Sequence, residues 1–173
     1  MTILFKDDFI HKHPSAIVDY KTPNEDFVRL AAVYNKMGVE HAGKMILALH
    51  DRDLQGIDPF NLPSPEYAIK VAEECKDNFW YFIREIARDP AGSEEFPIRF
   101  RPNRGIISAY WLYFNHIVLF LIMIRQTGKS FGIDWLYTWL LNIGTTKYEI
   151  AQLTKDEKLR SRELERLKGM ELT

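Results

Sequence analysis

The feature that most constrains this chain is a stretch of 20 residues, 105–124, that contains no Asp, Glu, Lys or Arg. About 20 apolar residues are enough to cross a bilayer. Asn115 and His116 interrupt the stretch, however, and separate an aromatic part from an aliphatic one. A run of eight apolar residues rich in Ile, such as 117–124, is typical of a strand covered on both faces of a parallel sheet. We therefore interpret the stretch as a helix over residues 106–114 followed by a buried strand, and not as a transmembrane helix.

The composition excludes several classes of protein. The chain has 173 residues, of which 46% are hydrophobic, so it can bury the core of one globular domain or of a compact pair. With 23 Lys and Arg residues against 24 Asp and Glu residues, it has no chain-wide basic field that would hold a polyanion without specificity. The single cysteine, Cys75, excludes an intramolecular disulfide framework and is predicted to be a buried, unreactive thiol. The N-terminal residues lack the basic start and long apolar region of a signal peptide, so we expect a cytoplasmic protein.

The first part of the chain, residues 1–95, is predicted to be mainly helical. Asn24 is a suitable N-cap for a helix that ends before Gly38. Pro65 favours the start of another helix, and helical spacing of apolar residues continues through residues 79–88. The apolar face of the helix after Pro65 is predicted to consist of Ala68, Ile69, Ala72 and Cys75.

The second part, residues 96–173, is predicted to contain strands as well as helices. After the strand over 117–124, an amphipathic helix starts at Lys129, and its apolar residues recur at helical spacing: Phe131, Trp135, Leu136, Trp139 and Leu140. A second strand over 148–153 and a highly charged helix over 155–168 follow. The predicted fold class is therefore α/β, with a helical N-terminal region followed by the first strand, loop, helix and strand of a parallel P-loop NTPase sheet.

The residues that carry chemistry lie between the first strand and its helix, in the run Arg125-Gln126-Thr127-Gly128-Lys129-Ser130. In a phosphate-binding loop, backbone N–H groups and the start of a helix surround an anion, a lysine reaches the outer phosphates and a serine hydroxyl binds Mg²⁺. The order Gly-Lys-Ser fits this chemistry at the carboxyl end of a strand, where open α/β sheets bind their ligands. Met123 stands where the consensus motif has its first glycine, so a variant loop path is predicted.

The loop and the weaker constellations have alternative interpretations. Gly-Lys-Ser alone is common in solvated turns, and it is the flanking strand and helix that favour a phosphate site. Arg125 carries donors that can bridge phosphate oxygens or offset transition-state charge, and the alternative is a surface arginine. Residues 51–58 begin like a calcium loop, but Leu62 stands where a bidentate glutamate is needed, so turn chemistry is the better interpretation. His11 and His13 are interpreted as solvated surface.

Several segments together resemble the N-terminal ATPase part of bacteriophage terminase large subunits. The similarity covers roughly residues 78–168 and rests on residues 78–85 (NFWYFIRE), residues 103–105 (NRG), Trp111 with Asn115, and residues 125–130 (RQTGKS). Large terminases commonly carry an Arg-Gln-x-Gly-Lys-[Ser/Thr] loop without the first glycine. The departure at Met123 from the general consensus is therefore a point of similarity to this family.

The resemblance implies a function for each residue of the loop. Lys129 would contact the outer phosphates of ATP, Ser130 would hold Mg²⁺, and Arg125 would sense or stabilise the γ-phosphate. The remaining loop residues, Gln126, Thr127 and Gly128, would contribute to nucleotide binding. The activity implied is that of a viral DNA-packaging motor in the host cell cytoplasm, with double-stranded DNA, the portal and the small terminase subunit as partners.

Two departures from the family pattern lead to further expectations. The adenine-recognising glutamine of the family is not evident upstream of the loop, where residues 101–105 read RPNRG. The Asp-Glu pair that terminases use after the loop would have to follow Thr173, so we expect the chain to be a fragment or one half of a split gene product. The isolated chain would then not hydrolyse ATP, and a second polypeptide would complete the ATPase fold. The alternatives are a truncated nucleotide-binding or interaction module without hydrolysis, and another P-loop ATPase such as a helicase.

Overall fold

The computed structural model of the protein describes residues 15–89, 98–115, 129–143 and 157–171. These residues are mostly helical. The α-helices are α1 (Glu25–Lys36), α2 (Glu40–Ile46), α3 (Glu66–Asp77), α4 (Phe79–Tyr81), α5 (Arg104–Phe114), α6 (Lys129–Thr138) and α7 (Glu157–Glu171). Two π-helical turns, Phe82–Ile86 and Trp139–Ile143, continue α4 and α6, and a 3₁₀ helix covers Arg52–Leu54.

Within the described ranges, four short strands form two antiparallel ribbons. Strand β1 (Ile17–Val18) pairs with β2 (Ala48–Leu49), and β3 (Arg88–Asp89) pairs with β4 (Ile98–Arg99). In the second ribbon, Arg88 lies directly opposite Arg99. The predicted parallel strands over 117–124 and 148–153 lie outside the described residues, so the P-loop sheet stays a prediction.

Helix α1 lies between its predicted end signals, although the Asn24 side chain makes no capping hydrogen bond and instead donates to the carbonyls of Arg84 and Phe100. Asn24 is its N-cap residue, and its buried side chains recur at helical spacing: Phe27, Leu30, Ala31 and Tyr34. The chain leaves the helix through Gly38, which has a φ of +76°. Glycine adopts this left-handed conformation without the steric cost that a Cβ would bring, so it ends the helix.

Helix α3 forms where it was predicted but buries another face. Its buried side chains are Val71, Glu74 and Cys75, whereas Ile69 is 65% exposed. Ala68 and Ala72 are exposed as well, so the predicted apolar face was wrong except for Cys75. The reason is that Glu74 turns inward to accept hydrogen bonds from backbone N–H groups of a neighbouring loop. A satisfied buried carboxylate has no signature in hydrophobic periodicity.

The segment after α3 starts a new helix at Asn78 and does not continue the old one. The Asn78 side-chain oxygen accepts a hydrogen bond from the Tyr81 N–H at 3.2 Å, as an N-cap does. The side chains that follow are buried on all sides of α4 and its π-helical turn, and they are Phe79, Trp80, Tyr81, Phe82, Ile83, Arg84 and Glu85. The helical prediction over 79–88 holds to Ile86, after which the chain enters β3.

One hydrophobic cluster includes residues from both predicted parts of the chain. Phe79 is at its centre, with ring centroids 4.9 Å from Tyr110 on α5 and 5.4 Å from Trp139 after α6. On the other side, Phe82 contacts Trp135 edge-on at 5.8 Å. Helix α5 and the segment formed by α6 and its π-helical turn are therefore packed against α4 and the turn that follows it by aromatic contacts.

The described helices include none that has both the length and the apolar character required to cross a membrane.

Candidate functional site

The predicted phosphate loop is described only at its C-terminal end. Arg125, Gln126, Thr127 and Gly128 lie outside the described residues. Lys129 is the first residue of α6, and Ser130 follows it with an exposed side chain. The predicted helix after the loop is confirmed, because α6 and its π-helical turn extend from Lys129 to Ile143, but it is not amphipathic, since Asp134 and Thr138 are buried along with its apolar residues.

Helix α6 is held against α5 by a close backbone approach. The Tyr110 hydroxyl donates a hydrogen bond to the Gly132 carbonyl at 2.6 Å. A Cβ at Gly132 would lie only 2.7 Å from Cγ2 of Ile106, so no other residue fits there without a shift of the helices. Burial, aided by the negative charge of Asp134, raises the pKa of Tyr110 well above its usual range and keeps this donor protonated. The first turn of α6, with Ser130, is thus fixed two residues from a tight helix contact.

The other end of this helical segment is anchored to α3. The indole Nε1 of Trp139 donates a hydrogen bond to the Cys75 carbonyl at 2.7 Å. That carbonyl belongs to the last turn of α3, where the acceptors have fewer partners within the helix. The segment formed by α6 and its π-helical turn is thus held to α5 near one end and to α3 near the other.

The first turn of α6 also contacts the segment that follows β4. The rings of Phe100 and Phe131 stack with centroids 5.9 Å apart and an interplanar angle of 23°. The Phe100 carbonyl in turn accepts a hydrogen bond from the Asn24 side-chain amide at 3.2 Å. Asn24 therefore links the start of α1 to the segment that packs beside Ser130.

An open cleft of about 570 Å³ lies on the same segment, between the start of α1 and β4. Its lining is Pro23, Asn24, Glu25, Asp26, Arg29, Ile98, Arg99 and Arg101. Its charges pair with one another: Arg29 bonds Glu25 at 2.9 Å and Asp26 at 3.3 Å, and Arg101 lies 3.8 Å from Asp26. The cleft is thus polar and of mixed charge.

Residues 101–105, at the position where the resemblance would require an adenine-binding glutamine, act as a helix start in this structure. The Asn103 side chain accepts a hydrogen bond from the Ile106 N–H at 3.0 Å and caps α5. Arg104, the first residue of α5, is exposed and donates to the sulfur of Met37 at 3.4 Å. These contacts assign Asn103 a structural task and leave the Arg104 side chain at the surface.

A buried polar cluster lies beneath the cleft. Arg84 is fully buried, and its guanidinium donates to the Ile46 carbonyl at 2.7 Å and to the Glu85 carboxylate at 2.7 Å. The same carboxylate oxygen accepts a hydrogen bond from the Thr22 hydroxyl. The Asn24 side-chain amide donates a hydrogen bond of 2.8 Å to the Arg84 carbonyl. The cluster ties the segment before α1 to the π-helical turn, and it escaped the sequence analysis because its members are far apart in the chain.

The second ribbon carries two arginines that the sequence analysis did not single out. Arg88 is 7% exposed, and its guanidinium lies over the ring of Phe60 at 4.2 Å from the centroid. Arg99, directly opposite on β4, forms an ion pair with Asp58. Desolvation and the nearby Arg99 charge lower the pKa of Arg88.

The acidic loop that begins like a calcium site has other partners. The Asp51 carboxylate accepts a hydrogen bond from the Asp53 N–H at 2.9 Å and caps the 3₁₀ helix. Lys70 lies 3.6 Å from Asp51 and also pairs with Asp53. The interpretation as turn chemistry is confirmed for these two carboxylates. Within the described ranges no group of three His, Cys, Asp or Glu side chains is arranged to hold a metal ion, and His11 and His13 lie outside those ranges.

Comparisons of the chain with protein-family models, with curated proteins and with solved structures find no match.

Proposed function

We propose that this chain is the ATP-binding part of a viral DNA-packaging motor of the terminase large-subunit class, in which ATP hydrolysis drives DNA translocation. The observation that carries the proposal is the run Arg125-Gln126-Thr127-Gly128-Lys129-Ser130, whose last two residues begin α6, a helix fixed by its neighbours. The supporting contacts are the Tyr110 bond to Gly132 and the Trp139 bond to Cys75. Electrostatic catalysis requires such preorganisation of the binding groups.

Each loop residue has a task in this proposal. Lys129 binds the outer phosphates as a point charge, and Ser130 contributes its hydroxyl to Mg²⁺. Arg125 stabilises the charge that develops on the γ-phosphate, and the backbone N–H groups of Gln126, Thr127 and Gly128 surround the phosphates. The partners are double-stranded DNA, the portal and the small terminase subunit, in the host cytoplasm. A second polypeptide that completes the ATPase fold is part of the same proposal.

Titration calorimetry with Mg-ATP tests the nucleotide site. Lys129→Ala removes a charge-assisted contact of about 1.5–3 kcal/mol, so the affinity should fall about 10- to 100-fold. Lys76→Ala is the matched control, because Lys76 is an exposed lysine on α3. Equal affinities of the Lys129 and Lys76 variants for Mg-ATP would refute the proposed site.

The dependence of ATP binding on Mg²⁺ tests the role of Ser130 independently of that of Lys129. Ser130→Ala should weaken binding of Mg-ATP more than binding of ATP in the presence of EDTA, because only the former uses the hydroxyl as a metal ligand. Ser161→Ala on α7, another exposed serine, is the control. An equal loss with and without Mg²⁺ would show that Ser130 does not hold the metal. A chain that binds Mg-ATP with no DNA-stimulated hydrolysis, even with a completing polypeptide, would favour the non-hydrolytic module.

A further inference from the structure

Arg88 is a buried cation without a carboxylate partner among the described residues. It is 7% exposed, and its one hydrogen bond there is from Nη1 to the carbonyl of the preceding residue, Ala87, at 3.3 Å. Burial of an arginine is costly unless an anion or several acceptors receive its five donors. Phe60 covers the face of the guanidinium at 4.2 Å and leaves its edges for other partners.

The surroundings increase the positive charge at this point. Arg99 is the cross-strand partner of Arg88, and directly opposite side chains of an antiparallel pair lie on the same face. Two like charges in this position destabilise a ribbon unless an anion compensates them. The carboxylates that act on Arg88 are Asp58, which pairs with Arg99, and Glu85, whose Oε1 accepts hydrogen bonds from Arg84 and Thr22.

We propose that Arg88 and Arg99 form a phosphate-binding site on the β3–β4 ribbon, made of other residues than the predicted loop at Lys129. The planar fork of Arg88 binds two oxygens of a phosphate group, and Phe60 fixes the plane of that fork. Arg99 supplies the second positive charge. When the phosphate binds, Arg99 contacts it and gives up part of its ion pair with Asp58. The phosphate group belongs either to a free ion or small ester, or to a nucleic-acid backbone, which present the same oxygens.

The test uses the full chain with Lys129→Ala, so that phosphate binding at the predicted loop does not contribute. Thermal unfolding is measured in inorganic phosphate and in chloride at equal ionic strength, since a ligand of the folded state raises Tm. The parent should show a phosphate-dependent rise in Tm. Arg88→Lys, which keeps the charge but loses the fork, should reduce that rise by about half or more.

Three further variants, made in the same Lys129→Ala parent, keep the result interpretable should Arg88→Lys fold poorly. Arg99→Met should also reduce the rise, whereas Arg160→Met, at an exposed arginine on α7, should retain it. Asp58→Asn should enlarge the rise, because it removes the carboxylate that competes for Arg99. The proposal is overturned when the parent shows no phosphate-dependent rise, or when Arg88→Lys and Arg99→Met both retain the parent's rise.

A second arm identifies the source of the phosphate. A short DNA duplex is titrated into the parent at several salt concentrations. Binding that weakens with salt, with a slope reduced by about 1 in Arg99→Met, which removes one positive charge, assigns the site to a nucleic-acid backbone. A Tm rise in phosphate without duplex binding assigns it to a free ion or small ester. Both results support the site, and neither depends on ATP binding at Lys129.

Discussion

At the scale of single residues, buried polar side chains decide how the helices of this protein face one another. Glu74 is 4% exposed, and its carboxylate accepts hydrogen bonds from the His50 N–H at 2.9 Å, the Asp51 N–H at 2.9 Å and the Asn78 amide at 2.7 Å. Backbone N–H groups that leave water need such acceptors. Glu74 thus joins α3 to the loop after β2 and sets the face that α3 buries.

Glu74→Gln should therefore destabilise the fold. The substitution keeps the shape but removes the charge and one of the accepting oxygens, so we expect a loss of about 1.5–3 kcal/mol in the free energy of unfolding. Urea denaturation followed by circular dichroism measures this loss. Glu73→Gln, at the exposed neighbouring position, is the control and should change stability by less than about 0.5 kcal/mol. A similar small change in both variants would show that the carboxylate does not anchor the loop.

At the scale of elements, the sequence predicts what depends on local signals. Helices α1, α5 and α6 were predictable because their apolar residues lie within the elements themselves, and Gly38 marks the end of α1. The inward face of α3 was not predictable, since it depends on Glu74 meeting a loop more than 20 residues away. The pairing of Arg88 with Arg99 was also missed, because a two-residue strand has too little sequence to show a period.

At the candidate site too, local signals were predictable from the sequence and contacts between distant residues were not. Its helix was predicted from the spacing of apolar residues after Lys129, and α6 confirms it. The contacts that fix this helix, from Tyr110 to Gly132 and from Trp139 to Cys75, connect residues 22 and 64 positions apart. Sequence periodicity identifies an apolar face but does not identify its partner. The site residues 125–128 remain a prediction from their motif.

The close packing of α5 against α6 makes Gly132 a sensitive position. An alanine Cβ there would meet Ile106 Cγ2 at 2.7 Å. Overpacking of this kind costs about 1–3 kcal/mol, which exceeds the gain of about 1 kcal/mol in helix propensity from glycine to alanine. We therefore expect Gly132→Ala to lower the free energy of urea unfolding.

A double-mutant cycle with Ile106→Ala gives the control for this clash. Ile106→Ala removes the methyl group in contact, so Gly132→Ala should be neutral or stabilising in that background. The coupling free energy is the measured quantity. An equal cost of Gly132→Ala in both backgrounds would mean that Ile106 is not the obstructing side chain. Because Gly132 lies two residues from Ser130, the same cycle measured with Mg-ATP reports whether this packing orients the proposed site.

At the scale of the whole molecule, the core combines aromatic rings with several groups that ionise only at alkaline pH. The four tryptophans are all buried, so fluorescence reports on the same cluster from several elements. Cys75, Tyr81 and Tyr110 belong to this cluster too. Burial raises the pKa of Cys75 to about 12, and it also raises the pKa values of Tyr81 and Tyr110. These three groups are therefore in their neutral forms in the folded core.

Alkaline pH should destabilise the fold through these groups. In the unfolded chain a cysteine ionises at about pH 8.5 and a tyrosine at about pH 10. The folded protein keeps Cys75, Tyr81 and Tyr110 protonated to higher pH, because burial raises their pKa values. Above about pH 9 the folded state thus binds more protons than the unfolded state, so the free energy of unfolding falls as pH rises.

Urea denaturation followed by tryptophan fluorescence at a series of pH values measures how steeply the free energy of unfolding falls with pH. Cys75→Ala should make the fall shallower between about pH 9 and 12, and Tyr20→Phe, at an exposed tyrosine, should leave it unchanged. A free energy of unfolding that stays constant from neutral to strongly alkaline pH would contradict the burial of these groups.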